Sequence, residues 1–118
     1  MKLRGTMTEQ ASRKELQASR IRLFNDTSMR RFLNIISQTF PTMKTAYILY
    51  WTQEQGEDII TFLVDTHSVI MIELDRFDDE VAPIIDVYPI ENLTKGLSQT
   101  SQIKIAVALD LAKNDLKL

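Results

Sequence analysis

The chain has 118 residues, 44% hydrophobic and 25% charged, with three Gly, three Pro and no Cys. That composition supports a single folded domain with a substantial core, and it excludes disulfides, thiolate metal sites and thiol nucleophiles. The formal net charge of −2 conceals a division: residues 1–44 carry nine basic and three acidic side chains, a balance of +6, and residues 45–118 carry five and thirteen, a balance of −8.

In chain order, residues 1–7 read as a frayed start, with Gly5 breaking any periodicity. Thr8 is a candidate cap for a helix running to about Phe24. Its apolar content is thin, so it is expected to be solvated early and to dock only near its end. Asn25, Asp26, Thr27 and Ser28 all have side chains that accept from free amides in a first helical turn. Met29, Phe32, Leu33, Ile36 and Phe40 then recur at spacings of three and four, the face of an amphipathic helix. Pro41 ends that helix, because it has no N–H to continue the ladder.

Beyond Lys44 the texture is that of strands. Residues 46–51 are aromatic and aliphatic. A turn centred on Gly56 leads into residues 59–64. A second turn, Asp65, Thr66, His67 and Ser68, leads into residues 69–74. Asp78, Asp79 and Glu80 form an acidic turn, and Pro83 opens a fourth strand over residues 84–88, expected near a sheet edge. The short connections predict an antiparallel meander. A loop containing Gly96 follows. Residues 103–113 then alternate apolar and polar, which favours a fifth strand over the helix their alanines also permit.

The expected fold is therefore α+β, a single domain over residues 1–118. Two N-terminal helices pack on a four- to five-stranded antiparallel meander sheet, which a strong curve would also suit. The first two strands are apolar on both sides, so both faces of the sheet need cover. One amphipathic helix covers one face. The other requires the first helix, a C-terminal helix, a curl of the sheet, or another chain, either a second copy or a partner.

Chemical motifs are scarce. His67 lies between Asp65 and Ser68, but adjacency in sequence is not the convergent geometry of a triad. The acidic group of Asp75, Asp78, Asp79 and Glu80 lacks the ligand spacing of a calcium loop. The glycines are isolated, so no phosphate loop is present, and no cofactor or metal is implied. The basic side chains Arg13, Arg20, Arg30 and Arg31 are the candidate partner-binding residues. Arg30 and Arg31 begin a helix, where the dipole prefers acids, and either the protein's own acids or an anionic partner would relieve them.

No run reaches the ~18 apolar residues that span a bilayer, and the start lacks the apolar stretch of a secretory signal. A cysteine-free chain suits a reducing compartment, so a cytoplasmic location is expected, with no membrane association. The functional expectation is a small non-catalytic protein-interaction module, such as an adaptor, an inhibitor or immunity-type protein, or an assembly subunit. It would bind a protein partner or itself through separated charge and an apolar sheet face. The alternatives are a small enzyme combining carboxylates with His67, and weak nucleic-acid binding through the basic helices. A pI near 5.4 disfavours the last.

Overall fold

The structure is a computed structural model that describes residues 2–93 and 96–117. Met1, within the expected frayed start, and Thr94 and Lys95, within the expected loop, lie outside the described residues, as does Leu118. The first helix, α1, spans Met7–Asn25. Its cap is Thr6, two residues before the expected Thr8. The Thr6 hydroxyl accepts from the Glu9 amide at 3.2 Å, and the Glu9 carboxylate accepts from the amides of Thr6 and Arg4 at 2.6 and 2.7 Å. This reciprocal box satisfies amides that the first turn leaves free. The Arg4 amide bond is the main cause holding the Glu9 carboxyl below its ordinary pKa.

Asp26 accepts from the Ser28 amide at 2.9 Å and starts a 3₁₀ turn, Thr27–Met29, that runs directly into helix α2, Arg30–Thr39. Four strands follow: β1 Ala46–Glu54, β2 Glu57–Val64, β3 Ser68–Asp75 and β4 Ile84–Pro89. They form one antiparallel sheet in the order β1-β2-β3-β4. The meander and the edge position of β4 agree with the sequence. Gly56 closes the first hairpin with φ +78, a left-handed conformation that favours glycine.

A short helix, α3 (Ile90–Leu93), precedes α4, Gln99–Asp115. The fifth strand favoured for residues 103–113 is thus corrected to helix, and the sheet has four strands. Two features outweigh the alternation. Ser98 caps the first turn, its hydroxyl accepting from the Ser101 amide at 3.2 Å. Ile105, Ala108, Leu111 and Ala112 are buried together at helical spacing. Small alanines at 108 and 112, both fully buried, let α4 lie close against its neighbours.

The core has two layers, one on each side of the sheet. On the first face, Leu23, Met29, Phe32 and Ile36 pack on Ile48, Ile60, Phe62, Ile70 and Ile72. The Phe32 and Phe62 rings meet at 5.9 Å. On the second face, Leu16 of α1 and Ile105, Val107, Ala108 and Leu111 of α4 pack on Tyr47, Leu49, Leu63 and Val69. Burying each of the Val, Leu, Ile, Met and Phe side chains among them stabilises the fold by about 1.5–3 kcal/mol. The extra cover required by two-sided strands is therefore supplied by α1 and α4 together. A bulge between Ile48 and Tyr50 turns both Leu49 and Tyr50 toward that second layer.

The expectation that the first half of α1 is solvated is corrected as well. Glu9 and Ser12 are buried, and two ion pairs join this first half of α1 to α4: Arg13–Asp110 at 2.8 Å and Glu15–Lys104 at 2.9 Å. The helix docks through small and charged groups, so its apolar periodicity is weak. No helix is long and apolar enough to cross a membrane among the described residues.

Candidate functional site

Three of the four candidate arginines are engaged within the chain. Arg13 pairs with Asp110. Arg20 donates to the Thr45 hydroxyl at 2.8 Å and lies 3.5 Å from Asp115. Arg31 donates to the carbonyls of Asp79 and Val81, each at 3.2 Å, and so ties the loop between β3 and β4 to the start of α2. Arg30 is exposed and makes no ion pair among the described residues. The structure does not bring the four into one patch: two face α4, and two sit at the far end of the helical layer. The acids that meet Arg13, Arg20 and Arg31 come from α4 and a loop, not from the sheet.

The Asp65–Ser68 turn assembles no nucleophile. Asp65 has φ 51, and its carboxylate accepts from the amides of Lys44 and Thr45 at 3.0 and 3.1 Å. His67 is exposed, and its carbonyl accepts from the Ile90 amide at 2.9 Å. In the acidic loop, Asp75 accepts from the amides of Phe77 and Asp78, Asp78 accepts from that of Glu80, and Asp79 pairs with Arg31. These carboxylates shape the turn. Among the described residues no group of three His, Asp or Glu side chains converges as metal ligands do.

Where α1 leaves the edge of β1, a cleft of about 480 Å³ opens, lined by Ser19, Arg22, Tyr50, Trp51 and Lys104 among others. Arg22 stacks on the Trp51 ring at 4.5 Å and Lys104 lies 5.7 Å from the Tyr50 ring, so its polar groups are already occupied by neighbours. The Tyr50 hydroxyl alone is buried there without a partner among the described residues.

The sheet edges differ more sharply than anything in the sequence suggests. The β1 edge is sealed at its start by α1: the Ile48 amide donates to the Ser19 hydroxyl at 3.1 Å. Among the described residues the β4 edge carries no such cover. Its residues are exposed apart from a half-buried Tyr88, and Ile84, Ile85 and Val87 are 57%, 43% and 46% exposed.

The direction in which β4 presents its backbone follows from one bond. Ser68 pairs with Pro89, and the Ile90 amide donates to the His67 carbonyl, continuing that register by one step. In an antiparallel ladder, alternate residues exchange bonds with the partner strand. Tyr88, Asp86 and Ile84 therefore bond to β3, and Ile85 and Val87 turn their N–H and C=O groups outward. Pro83 and Pro89 share that outward parity and lack an N–H, so the outward donors are confined to two residues. Prolines at such positions shorten an exposed edge without disturbing its inner ladder.

Rows across the sheet show what this edge continues. On the α2 side the register aligns Ile48, Phe62, Ile70 and Val87, and then Trp51, Ile60, Ile72 and Ile85. Both rows are apolar and end bare at β4. On the opposite side, beyond the part covered by α1 and α4, lie Met71 and Asp86, then Thr52, Ile59, Glu73 and Ile84, then Glu54, Glu57 and Asp75. This open half-face is acidic. Glu73 has its pKa raised above the ordinary carboxylate value, first by a hydrogen bond shared with Glu57, then by desolvation, and then by the charges of Glu57 and Glu54. No cation pairs with Glu54, Glu57, Glu73 or Asp86 among the described residues. Sequence reasoning missed this surface because its members are separated along the chain and only the register joins them. No protein-family model, no curated protein sequence and no solved structure matches the chain.

Proposed function

We propose that this protein is a non-catalytic protein-interaction module whose contact element is the open edge strand β4, working in the cytoplasm as its cysteine-free sequence suggests. The observation that carries this reading is the outward pair Ile85 and Val87, which offer free backbone groups and half-exposed apolar side chains at the end of two buried apolar rows. Such an edge is a template for strand addition. The wider expectation of an adaptor, an inhibitor or immunity-type protein, or an assembly subunit fits this mode of contact. The arginines have a smaller share in it, since three of them hold the fold together. The carboxylate–histidine alternative has less to stand on, with Asp65 engaged by backbone amides and His67 solvated.

The test is capture of partners from the native cell on immobilised wild-type protein and on Val87→Lys. The reading predicts at least one protein retained by the wild type and lost from the variant, with both proteins equally folded by circular dichroism. Identical captured sets for the two would overturn it.

A further inference from the structure

We infer that the occupant of the β4 edge is a basic amphipathic strand from another protein, pairing in the main chain with Ile85 and Val87 and presenting cations to the acidic half-face. This rests on the contact-strand reading above and adds the chemistry of the partner.

A strand added at β4 continues the rows of the sheet. On the α2 side its residues fall beside Ile85 and Val87, where an apolar side chain extends the rows ending there. On the other side its alternate residues fall beside Asp86 and Ile84, next to Glu73. Cations at those positions meet carboxylates that lack a basic partner among the described residues. Glu57 stands opposite both Glu54 and Asp75, and Glu73 is pressed toward its protonated form by Glu57. Like charges held together in this way destabilise a sheet face, and a cationic neighbour relieves them. The incoming segment therefore alternates apolar and basic residues.

A second copy of this chain fits less well. Strand β4, Ile84–Pro89, contains no Lys or Arg. Antiparallel self-pairing about an axis normal to the sheet keeps like faces together, so each acidic half-face abuts the other. Asp86 then meets a surface of its own sign.

The test uses the full chain and a short fluorescent peptide alternating valine and lysine, with binding read by anisotropy. The wild type is expected to bind, and to bind more weakly at high salt. Val87→Pro removes one outward N–H and leaves the bonds to β3 intact, and it should weaken binding about tenfold. Glu73→Lys, on β3, should weaken it by a similar factor. A peptide alternating valine and glutamate should not bind. If Val87→Pro binds as tightly as the wild type, the association is plain charge attraction and strand pairing is overturned. Absence of wild-type binding overturns the basic-strand inference. Sedimentation that shows dimers abolished by Val87→Pro overturns it in favour of a second copy. In either of those cases the contact-strand reading survives if partner capture still depends on Val87, so the two failures are distinguishable.

Discussion

The two edges of the sheet solve the same problem in opposite ways. Both present backbone groups that an unrelated strand can pair with. At the start of β1 the chain covers them with its own first helix and adds a polar clasp. Arg20 donates to Thr45, Thr45 donates to Asp115 at 2.7 Å, and the Tyr47 hydroxyl bonds to the same carboxylate, so α1, β1 and α4 are joined at one point. At β4 the chain leaves the backbone open and limits it with two prolines. The contrast teaches that Arg13, Arg20 and Arg31 of the basic N-terminal segment are structural devices: they meet acids of α4 and the β3–β4 loop, and Glu73 and Asp86, near the open edge, have no basic partner among the described residues.

The comparison is broken most strongly at the sealed side. Leu16, on the sheet-facing side of α1, is fully buried, and Leu16→Ala should cost about 2–5 kcal/mol in denaturant unfolding. Val87→Ala, at the open edge, should cost less than about 1 kcal/mol. Equal losses would mean that the two edges are not different in kind. Within the clasp, Thr45→Val removes the hydroxyl shared by Arg20 and Asp115 and should cost about 1–3 kcal/mol, because Thr45 is fully buried.

A smaller effect appears at high pH. Burial, followed by the bond to Asp115, pushes the Tyr47 pKa up to about 12 from 10.0. The unfolded chain then loses this proton before the folded one does. The stabilisation is complete below pH 10 and is lost as pH rises from there through about 12. Spectroscopic titration should show a tyrosine ionising late, and Tyr47→Phe should remove that phase and flatten the alkaline fall in stability. The smallest effect belongs to the open face. Glu73 has a raised pKa, so its ionised form is disfavoured in the fold, and Glu73→Gln should raise the thermal midpoint slightly at neutral pH and not at acid pH.

Much of this architecture is visible in the residues. Gly56 marks the first hairpin, the Met29–Phe32–Ile36 spacing marks the amphipathic helix, and Pro83 marks an edge strand. The two-sided apolar character of residues 46–51 and 59–64 correctly required cover on both faces. Residues 103–113 misled because their apolar–polar alternation coincides with a helix whose alanines are contact residues, not polar-face fillers. The docking of α1 was hidden because Ser12, Arg13 and Glu15 make its contacts, and none of them registers as apolar. The candidate site was hardly legible at all. Whether Ile85 points its amide inward or outward depends on strand register, and Glu54, Glu57, Glu73 and Asp86 become neighbours only when three hairpins close.

The most direct measurement is amide hydrogen exchange, residue by residue, at the two edges. In the free protein the amides of Ile85 and Val87 should exchange rapidly, with those of Ile48 and Asp86 protected, and saturating valine–lysine peptide should slow Ile85 and Val87 selectively. Protection of Ile85 and Val87 in the dilute, unbound protein would contradict the account, because that edge would then already be closed by the chain itself.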